Sequence, residues 1–385
     1  MRHPKGSSLV VRSRYPLSEI LAHGIKAMIG SGATSSRAIA SSMPAKRETS
    51  MHSNRDRKLL RILLCVTSCE ALLLTSAATP IAGAASVTVS STCTVTKAVD
   101  TINAQANQSP CTHTGSFGSG DVVVVPSGNF YVSSTININR SMTINGAGKW
   151  STYLEFSDSS LDAAIKVNNS SAVFKMSNLF LGGPSDYPAS AMAGIFVDGQ
   201  NDRNLTDNNL ELSYVVVSGF TAGGLINRGG RVLVGNTLIY LNSSGFWGAG
   251  VDSSVGTNSN GTQAVPSFVA KNSAISLNTS YVWAGGIYSE GKLDLRSTLL
   301  QQNQATDGAA IYESATYTTG TGKNTWCKVE RDSATSAQSE IDDNVATTSG
   351  LYSIINSDIP CAFTNVVAGG NSSPYCTSNI TACPQ

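Results

Sequence analysis

One pattern occurs three times between residues 236 and 312: LIYLNSSGFWGAGV (Leu238–Val251), AISLNTSYVWAGGIY (Ala274–Tyr288) and LLQQNQATDGAAIY (Leu299–Tyr312). Each copy holds an apolar pair, an Asn, a polar or aromatic run, a cluster of small residues and an aliphatic residue. The last aliphatic position recurs upstream, which gives the series Ile195, Leu225, Val251, Ile287 and Ile311, at intervals of 30, 26, 36 and 24 residues. A period near 25 with alternating apolar residues predicts a stacked β-coil in which each turn is one repeat.

The composition favours an all-β chain. Only 13% of the 385 residues are charged, 35 residues are Gly, and long amphipathic helical patterns are scarce. Gly and Asn tolerate positive φ and suit the corners of a coil, whereas aliphatic residues such as Val251 and Ile287 suit its interior. Asn242, Asn278 and Asn303 occupy equivalent positions, so we also expect them to form a structural amide ladder between coils.

Charge is distributed unevenly along the chain. Of the 26 Lys and Arg residues, 12 lie before residue 86, but only 4 of the 25 Asp and Glu residues do. The rest of the chain therefore carries 14 basic against 21 acidic side chains, a net charge near −7. Binding to phosphates needs clustered cations, so we expect no nucleic-acid partner.

The N-terminal residues predict export. Residues 1–50 are basic with only two acids, which is typical of a transit peptide, of a disordered leader or of a start site set too far upstream. Residues 51–85 combine Arg and Lys, an apolar run, and Ala82 and Ala84 at −3 and −1, which is the pattern of a signal peptide. The same segment is long enough for an uncleaved membrane anchor. In either case we expect a secreted or cell-surface protein.

Six of the eight Cys residues lie beyond residue 85, at the two ends of that part of the chain: Cys93, Cys111, Cys327, Cys361, Cys376 and Cys383. An even number in an exported chain predicts disulfides, and six Cys permit 15 pairings. Proximity favours Cys93–Cys111, Cys327–Cys361 and Cys376–Cys383. No CxxC or Cys/His spacing indicates zinc, so we expect no metal site.

A short strand and a helical pattern open the predicted coil region. Val95, Ala98, Val99 and Ile102 fall on one helical face. A solenoid must cover the open end of its core, so we expect this amphipathic helix to form an N-terminal cap. Among the strands that follow, the pattern predicts one long strand at Phe130–Ile138.

Three polar segments are predicted to leave the coil as loops: Gly182–Pro188, Asn201–Asn209 and Ser253–Pro266. The last of them explains why one interval is 36 residues rather than 24.

The N-terminal block carries a family resemblance. It contains Cys93, a helical pattern ending at Asn107, Gly120-Asp121, PSGNFY at 126–131 and INGAG at 144–148. In these motifs it resembles the first coils of secreted right-handed parallel β-helix proteins of the pectin-lyase-like superfamily. The repeated aliphatic-x-x-Asn followed by Gly-Gly-Ile is similar to repeats of polymorphic outer-membrane proteins and adhesin passengers, although this chain ends in a Cys-rich polar tail. The resemblance covers residues 86–325 and implies a fold more than an activity.

Alternation along a strand places the residue after each interior aliphatic on the outer surface. In the predicted stack these outer residues form two columns: Phe196, Ile226, Asp252, Tyr288 and Tyr312; and Asp198, Arg228, Ser254, Glu290 and Ser314. Rings stack on sugar faces and carboxylates bind hydroxyls, so we predict an exposed strip that binds polysaccharide or cell-surface glycan. The candidate contacts are Phe196, Asp198, Arg228, Asp252, Tyr288, Glu290 and Tyr312. The alternative is a solvated sheet face whose aromatic residues serve cross-strand packing, and Trp247 and Trp283 are predicted to pack over a corner.

The resemblance also implies a catalytic alternative, a divergent polysaccharide lyase or glycoside hydrolase. Inverting hydrolysis needs an acid and a base spaced for a water, and lyases of the superfamily pair an acidic Ca²⁺ site with an Arg or Lys base. The acids and bases available for such an arrangement are Asp198, Asp202, Asp207, Arg203, Arg228 and Arg231. The family's hydrolase motifs are not present as a set, so we assign no catalytic residue. Ca²⁺ would enter only under the lyase alternative, and we expect no other cofactor.

The sequence therefore predicts an all-β protein, a right-handed parallel β-helix with an N-terminal capping helix. The predicted organisation is a leader at 1–50, a signal peptide or anchor at 51–85, the β-helix at 86–325 and a Cys-rich coil and tail at 326–385. We expect a monomer that is non-catalytic and binds glycan, and that meets a membrane only through an uncleaved N-terminal segment.

Overall fold

The computed structural model describes residues 83–369, apart from 159, 170, 185–191, 200–208, 258–262, 315–325, 331–338, 343, 347–354, 358–360 and 365. The predictions for residues 1–82 and for Cys376 and Cys383 lie outside the described residues. All described residues fall within one compact unit, Ala77–Gln385. No helix in this described part is long and apolar enough to cross a membrane.

The described residues form one helix, α1 (Val95–Ala104), and 31 strands. The strands are β1 (Ser86–Thr88), β2 (Val122–Val125), β3 (Gly128–Val132), β4 (Ile136–Ile138), β5 (Met142–Gly146), β6 (Thr152–Phe156), β7 (Ala163–Val167), β8 (Phe174–Gly182), β9 (Ala193–Asp198), β10 (Leu210–Ser218), β11 (Leu225–Arg228), β12 (Arg231–Gly235), β13 (Leu238–Tyr240), β14 (Ser243–Ser244), β15 (Val251–Ser254), β16 (Gly256–Thr257), β17 (Gln263–Ala264), β18 (Ser267–Lys271), β19 (Ala274–Ser276), β20 (Thr279–Ser280), β21 (Ile287–Ser289), β22 (Lys292–Arg296), β23 (Leu299–Gln301), β24 (Gln304–Ala305), β25 (Ile311–Glu313), β26 (Trp326–Glu330), β27 (Ser339–Asp342), β28 (Val345–Ala346), β29 (Ile355–Ser357), β30 (Cys361–Thr364) and β31 (Val366–Gly369).

Apart from β16 and β17, these strands stack in parallel into three faces and one short ladder. Face 1 runs β1-β2-β5-β8-β10-β12-β18-β22-β26-β30, and face 2 runs β3-β6-β8-β10-β13-β19-β23-β27-β31. Face 3 runs β4-β7-β9-β11-β15-β21-β25-β29, and the corner ladder between faces 2 and 3 runs β14-β20-β24-β28. Each coil crosses faces 1, 2 and 3 in turn. The predicted right-handed parallel β-helix is therefore confirmed, and it is the architecture that the pectin-lyase-like resemblance implies.

The coil interior is a continuous apolar core. The predicted interior series is aligned by the register of face 3, and every member is fully buried: Ile195, Leu225, Val251, Ile287 and Ile311. Strands such as β2, β5 and β6 bury alternate side chains, because successive side chains point to opposite surfaces of a sheet. The spacing of these aliphatic residues in the sequence therefore matches the strand register of face 3.

The stack differs from the prediction in three places. It continues past residue 325, since β26 to β31 extend all three faces as far as Gly369. The predicted strand Phe130–Ile138 is two strands, β3 on face 2 and β4 on face 3, because the chain turns a corner between them. Part of the predicted loop Ser253–Pro266 is an antiparallel pair, β16 with β17.

Helix α1 packs against the first strands through its predicted apolar face. Its N-cap is Thr94, whose hydroxyl accepts from the Lys97 N–H at 3.3 Å, and its buried side chains include Val95, Val99 and Ile102. These side chains belong to the same core cluster as β1 and β2. Burial of this face holds the helix on the coil.

Asp121 ties the start of the first coil together. Its buried Oδ1 accepts from the Ala85 N–H at 3.1 Å and from the Gly118 N–H at 2.7 Å, while Arg140 Nη2 lies 3.5 Å from its Oδ2. Arg140 also donates to the Gly118 carbonyl at 3.0 Å. The Gly120-Asp121 motif therefore stabilises the start of the first coil.

The predicted Cys93–Cys111 disulfide is present and lies beside α1. Cys327 is also disulfide-bonded, and the register of β26 with β30 places it directly opposite Cys361. Disulfides at these positions fit an oxidising compartment.

The predicted amide ladder is confirmed and is one coil longer than expected. Asn242 Nδ2 donates to Asn278 Oδ1 at 3.1 Å, Asn278 Nδ2 to Asn303 Oδ1 at 3.0 Å, and Asn303 Nδ2 to Asn344 Oδ1 at 3.0 Å. All four side chains are buried. Each accepting Oδ1 also accepts a hydrogen bond from a backbone N–H. The Asn242 N–H donates to Asn278 Oδ1 at 3.1 Å, and the Asn303 N–H donates to Asn344 Oδ1 at 3.0 Å. Every amide therefore bridges two coils.

Positive φ at this corner belongs to the residue before Asn242, Asn278 and Asn303, not to the Asn as predicted. The residues are Leu241, Leu277 and Gln302, with φ of 55°, 58° and 53°. A bulky residue in the left-handed region is strained, and the ladder hydrogen bonds stabilise this geometry. The bend between faces 1 and 2 does use Asn as predicted, at Asn236 and Asn272, with φ of 51° and 48°.

Replacing both Cys93 and Cys111 with Ala should lower the free energy of unfolding by about 3 kcal/mol, because the bond closes an 18-residue separation. Urea unfolding of the wild type and the double variant measures the difference. Equal stability would show that the bond does not constrain the unfolded chain.

Asn278→Ala should lower the free energy of unfolding by about 2 to 4 kcal/mol, because it removes one buried hydrogen-bond partner each from the Asn242 N–H, the Asn242 amide, the Asn303 amide and the Ile239 carbonyl. The matched control is Asn137→Ala, which removes an exposed amide contact to Asn168 and should change stability little. Urea unfolding measures both. A similar effect for the two variants would contradict the ladder's structural role.

Candidate functional site

The two predicted columns lie side by side on the outer surface of face 3. The register aligns Phe196, Ile226, Asp252, Tyr288 and Tyr312 in one column, and Asp198, Arg228 and Ser254 in the other. Glu290 and Ser314 continue the second column, since their N–H groups bond to the carbonyls of Ser253 and Ser289. All seven candidate contacts are thus neighbours on one sheet surface.

The centre of this strip is buried, so the expectation of an exposed strip is wrong there. Asp252 is 4% exposed and Tyr288 is 6% exposed, and Glu290 is buried as well. Phe196, Asp198, Arg228 and Tyr312 keep partial exposure. A ligand on face 3 can therefore reach the ends and one edge of the strip, but not its middle.

Trp247 covers the centre of the strip from the preceding corner. Its ring stacks on Tyr288 with centroids 6.2 Å apart, and Tyr288 stacks on Tyr312 at 5.6 Å. Trp283 packs against Tyr312 at 5.9 Å, and the Arg228 guanidinium lies 5.7 Å from the Trp247 ring. Stacked pairs of this kind add about 1 kcal/mol each beyond the area they bury. The prediction that the two Trp residues pack over the coil agrees with these contacts.

Under this cover Asp252 is paired on both oxygens. Its Oδ2 accepts from Arg228 Nη2 at 3.0 Å, and its Oδ1 accepts from the Ser254 hydroxyl, which also contacts Arg228. Burial raises the pKa of Asp252 above its ordinary 3.8; Arg228 and Ser254 oppose the rise, and the charge of Glu290 adds to it. Desolvation therefore outweighs the ion pair.

Glu290 links the aromatic stack to the insertion. Its Oε1 accepts from the Tyr288 hydroxyl at 2.7 Å, and its Oε2 accepts from the Val255 N–H at 2.9 Å, immediately before β16. Burial, together with the hydrogen bond to Glu290 and its charge, raises the pKa of Tyr288 well above its ordinary value. Tyr288 therefore stays protonated and donates to Glu290.

An exposed aromatic surface lies beside the strip, where the corner ladder meets face 3. It consists of Phe246, Trp247, Tyr281 and Trp283, which we call the aromatic corner. Phe246 is 67% exposed, Tyr281 75% and Trp247 40%. Polar side chains of the corner ladder flank the rings, with Ser243, Thr279 and Gln304 aligned on successive strands. Large exposed apolar groups gathered in one place indicate an interaction surface.

The sequence reasoning missed Phe246 and Tyr281 because they do not repeat. In the strand alignment Tyr281 falls opposite Gly245, and Phe246 opposite Val282. The repeat directs attention to positions that recur, whereas these rings occupy positions that vary from coil to coil. Aromatic residues at variable outward positions are the signal that would have found them.

The remaining acids and bases considered for catalysis do not join the strip within the described residues. Asp202, Arg203 and Asp207 lie outside that part of the chain, and Arg231 is on β12 of face 1. Within the described residues no three His, Cys, Asp or Glu side chains gather as metal ligands do. The expectation that the protein needs no cofactor stays a prediction.

The difference in stability between the wild type and Asp252→Asn should fall as the pH rises above 3.8, the ordinary pKa of the Asp252 carboxyl. A raised pKa means that the folded protein binds the Asp252 proton more tightly than the unfolded chain, so this stability is lost as the carboxyl ionises. Urea unfolding at several pH values measures the difference.

Asp158→Asn is the matched control, because hydrogen bonds from the Ser160 side chain and backbone lower the pKa of Asp158. Its stability difference should therefore change with pH in the opposite direction. A difference for Asp252→Asn that grows with pH would show that the Arg228 pair outweighs burial.

Comparison with solved structures finds distant likenesses. The catalytic domain of Agl-KA aligns with a TM-score of 0.37 and 15% identity, over 66% of this chain and 49% of that chain, so this chain spans about half of its length. A pectin methylesterase in complex with hexasaccharide VII aligns with a TM-score of 0.37 and 8% identity, over 74% and 87% of the two chains.

The A-module of the Azotobacter vinelandii mannuronan C-5 epimerase AlgE4 aligns with a TM-score of 0.25 and 14% identity, over 67% and 91%. No protein-family model matches the sequence, and no curated protein matches it. Likenesses this distant carry no information on ligand or reaction. The parallel β-helix assignment rests on the strand register of this chain.

Proposed function

We propose that this protein is a secreted or cell-surface glycan-binding protein whose binding surface is the aromatic corner. The observation that carries the proposal is the exposure of Phe246 and Tyr281 on successive coils beside Trp247. Exposed rings offer apolar surfaces to the C–H faces of sugars, and burying them in a complex removes them from water.

The surroundings of the rings suit a hydroxyl-rich ligand. Ser243, Thr279 and Gln304 are aligned beside the rings and supply hydroxyl and amide groups that both donate and accept hydrogen bonds. Such groups match sugar hydroxyls without requiring a particular ionic partner.

Two of the four rings, Trp247 and Trp283, are held in place before any ligand arrives. Trp247 is stacked on Tyr288, whose hydroxyl is fixed by Glu290, and Trp283 packs on Tyr312. A fixed ring loses little rotamer freedom on binding, which favours affinity. In this proposal Asp252, Tyr288 and Glu290 brace the surface, and Arg228 and Tyr312 border it. Phe196 and Asp198 lie further along face 3, and all four remain candidate contacts.

A catalytic alternative has one observation in its favour. Arg228, Asp252 and Glu290 lie together on face 3, and a buried carboxyl with a raised pKa is common at active sites. Against it, all four oxygens of the two carboxylates already accept hydrogen bonds from the protein. A substrate would have to displace these partners, so the binding function has the stronger support.

Phe246→Ala and Tyr281→Ala should each weaken retention on the glycan bound by the wild type by about fivefold, since a lost ring contact is worth about 1 kcal/mol. Affinity electrophoresis in gels containing a panel of pectins, alginates, glycosaminoglycans and uncharged polysaccharides measures retention.

Tyr131→Ala is the matched control, because Tyr131 is as exposed as Tyr281 but lies on β3 in an early coil. Its retention should equal that of the wild type. Loss in the control alone would move the site away from the corner. Release of products in the presence or absence of Ca²⁺, abolished by Asp252→Asn, would establish the catalytic alternative instead.

A further inference from the structure

We infer that the ligand of the aromatic corner is an uncharged polysaccharide, bound with its chain along the axis of the coil stack. This inference rests on the proposed function and narrows it to one class of glycan. It excludes polyanions such as uronate or sulfated chains as the preferred ligand.

The first argument is the charge of the repeats that build the corner. Residues 236–251 and 272–287 contain no Asp, Glu, Lys or Arg, and residues 297–311 contain only Asp307. Asp307 is buried and accepts from the Gly308 N–H at 2.8 Å. Three successive coils therefore present an uncharged surface on their way from face 2 to face 3.

The second argument is the state of the cation that borders the corner. Arg228 lies against the Trp247 ring, but its guanidinium is paired with Asp252 at 3.0 Å and also contacts Ser254. A ligand carboxylate or sulfate would have to compete with a carboxylate that is already in place. Recognition of polyanions usually depends on cations that are available to the ligand.

The third argument is the overall charge. The chain beyond residue 85 carries 14 basic and 21 acidic side chains, and such a surface repels a polyanion during approach. An uncharged chain meets no such barrier. Its binding would come from ring stacking and hydrogen bonds to neutral groups.

The direction of the bound glycan chain follows from the register of the corner ladder strands. The side chains of Ser243, Thr279 and Gln304 form a column along the stack, and Tyr281 and Thr306 form a second, with the Thr306 hydroxyl bonded to the Tyr281 carbonyl at 2.8 Å. Parallel strands repeat about every 4.8 Å, which is close to the length of one pyranose unit in an extended chain. A linear glycan laid along the axis can therefore meet equivalent polar groups on successive coils.

The test is affinity electrophoresis of the full chain in gels containing mixed-linkage β-glucan, galactomannan or hydroxyethylcellulose, and in gels containing polygalacturonate, alginate or heparin. We expect retention on at least one uncharged polysaccharide and on none of the polyanions. Retention should change little between about 50 and about 500 mM salt, because no ion pair is formed. Phe246→Ala and Tyr281→Ala should each weaken it about fivefold.

Thr279→Lys adds a cation to the middle of the corner and provides a second test. It should gain salt-sensitive retention on polyanions that the wild type lacks, while circular dichroism shows an unchanged fold.

The other outcomes are distinguishable. Salt-sensitive retention on a polyanion alone, weakened by Phe246→Ala, would overturn the uncharged class and leave the glycan-binding function standing. No retention on any polysaccharide would overturn the binding function itself. Concentration-dependent dimerisation that Phe246→Ala abolishes would show that the corner is an interface between copies and would overturn both.

Discussion

The buried amide ladder is the interaction on which the rest of this structure depends. Asn242, Asn278, Asn303 and Asn344 join four successive coils through side chains that each serve two of them. A buried amide has four hydrogen-bonding positions and a large penalty for leaving them unmet, so the ladder accepts only one register of the coils. It also fixes the strained residues Leu241 and Leu277 just before it. The rings of the aromatic corner follow within a few residues, and their direction is set by this corner.

The aromatic stack connects that corner to the residues of face 3. Trp247 leaves the corner and stacks on the Tyr288 ring of the next coil, and Tyr288, Asp252 and Glu290 are all buried there. Desolvation then decides the electrostatics, since it raises the pKa of Asp252 despite the neighbouring Arg228. The Trp247 ring therefore covers Tyr288 in the strip and also forms part of the exposed aromatic corner beside it.

Much of the fold could be predicted because period and alternation fix the register of a repeat. The interior series from Ile195 to Ile311 is aligned as the sequence spacing indicates. The split of Phe130–Ile138 could not be predicted, because the chain turns there without a Gly or Pro to mark the corner. The burial of Tyr288 could not be predicted either. It depends on a Trp from another coil, and alternation says which side of a sheet a residue occupies but not what covers that side.

The carboxylate oxygens on this surface already accept hydrogen bonds from the protein, and this favours a binding function over a catalytic one. A general acid or base must exchange a proton with its substrate, so at least one of its oxygens has to be open to that substrate. The carboxylates of Asp252 and Glu290 instead hold Arg228, Ser254, Tyr288 and the Val255 N–H, and these contacts are the ones that position the aromatic rings. Freeing a carboxylate for catalysis would loosen the ring above it. Asp252 and Glu290 therefore support the aromatic rings, and the uncharged side chains that face the solvent are the ones that contact the ligand in this proposal.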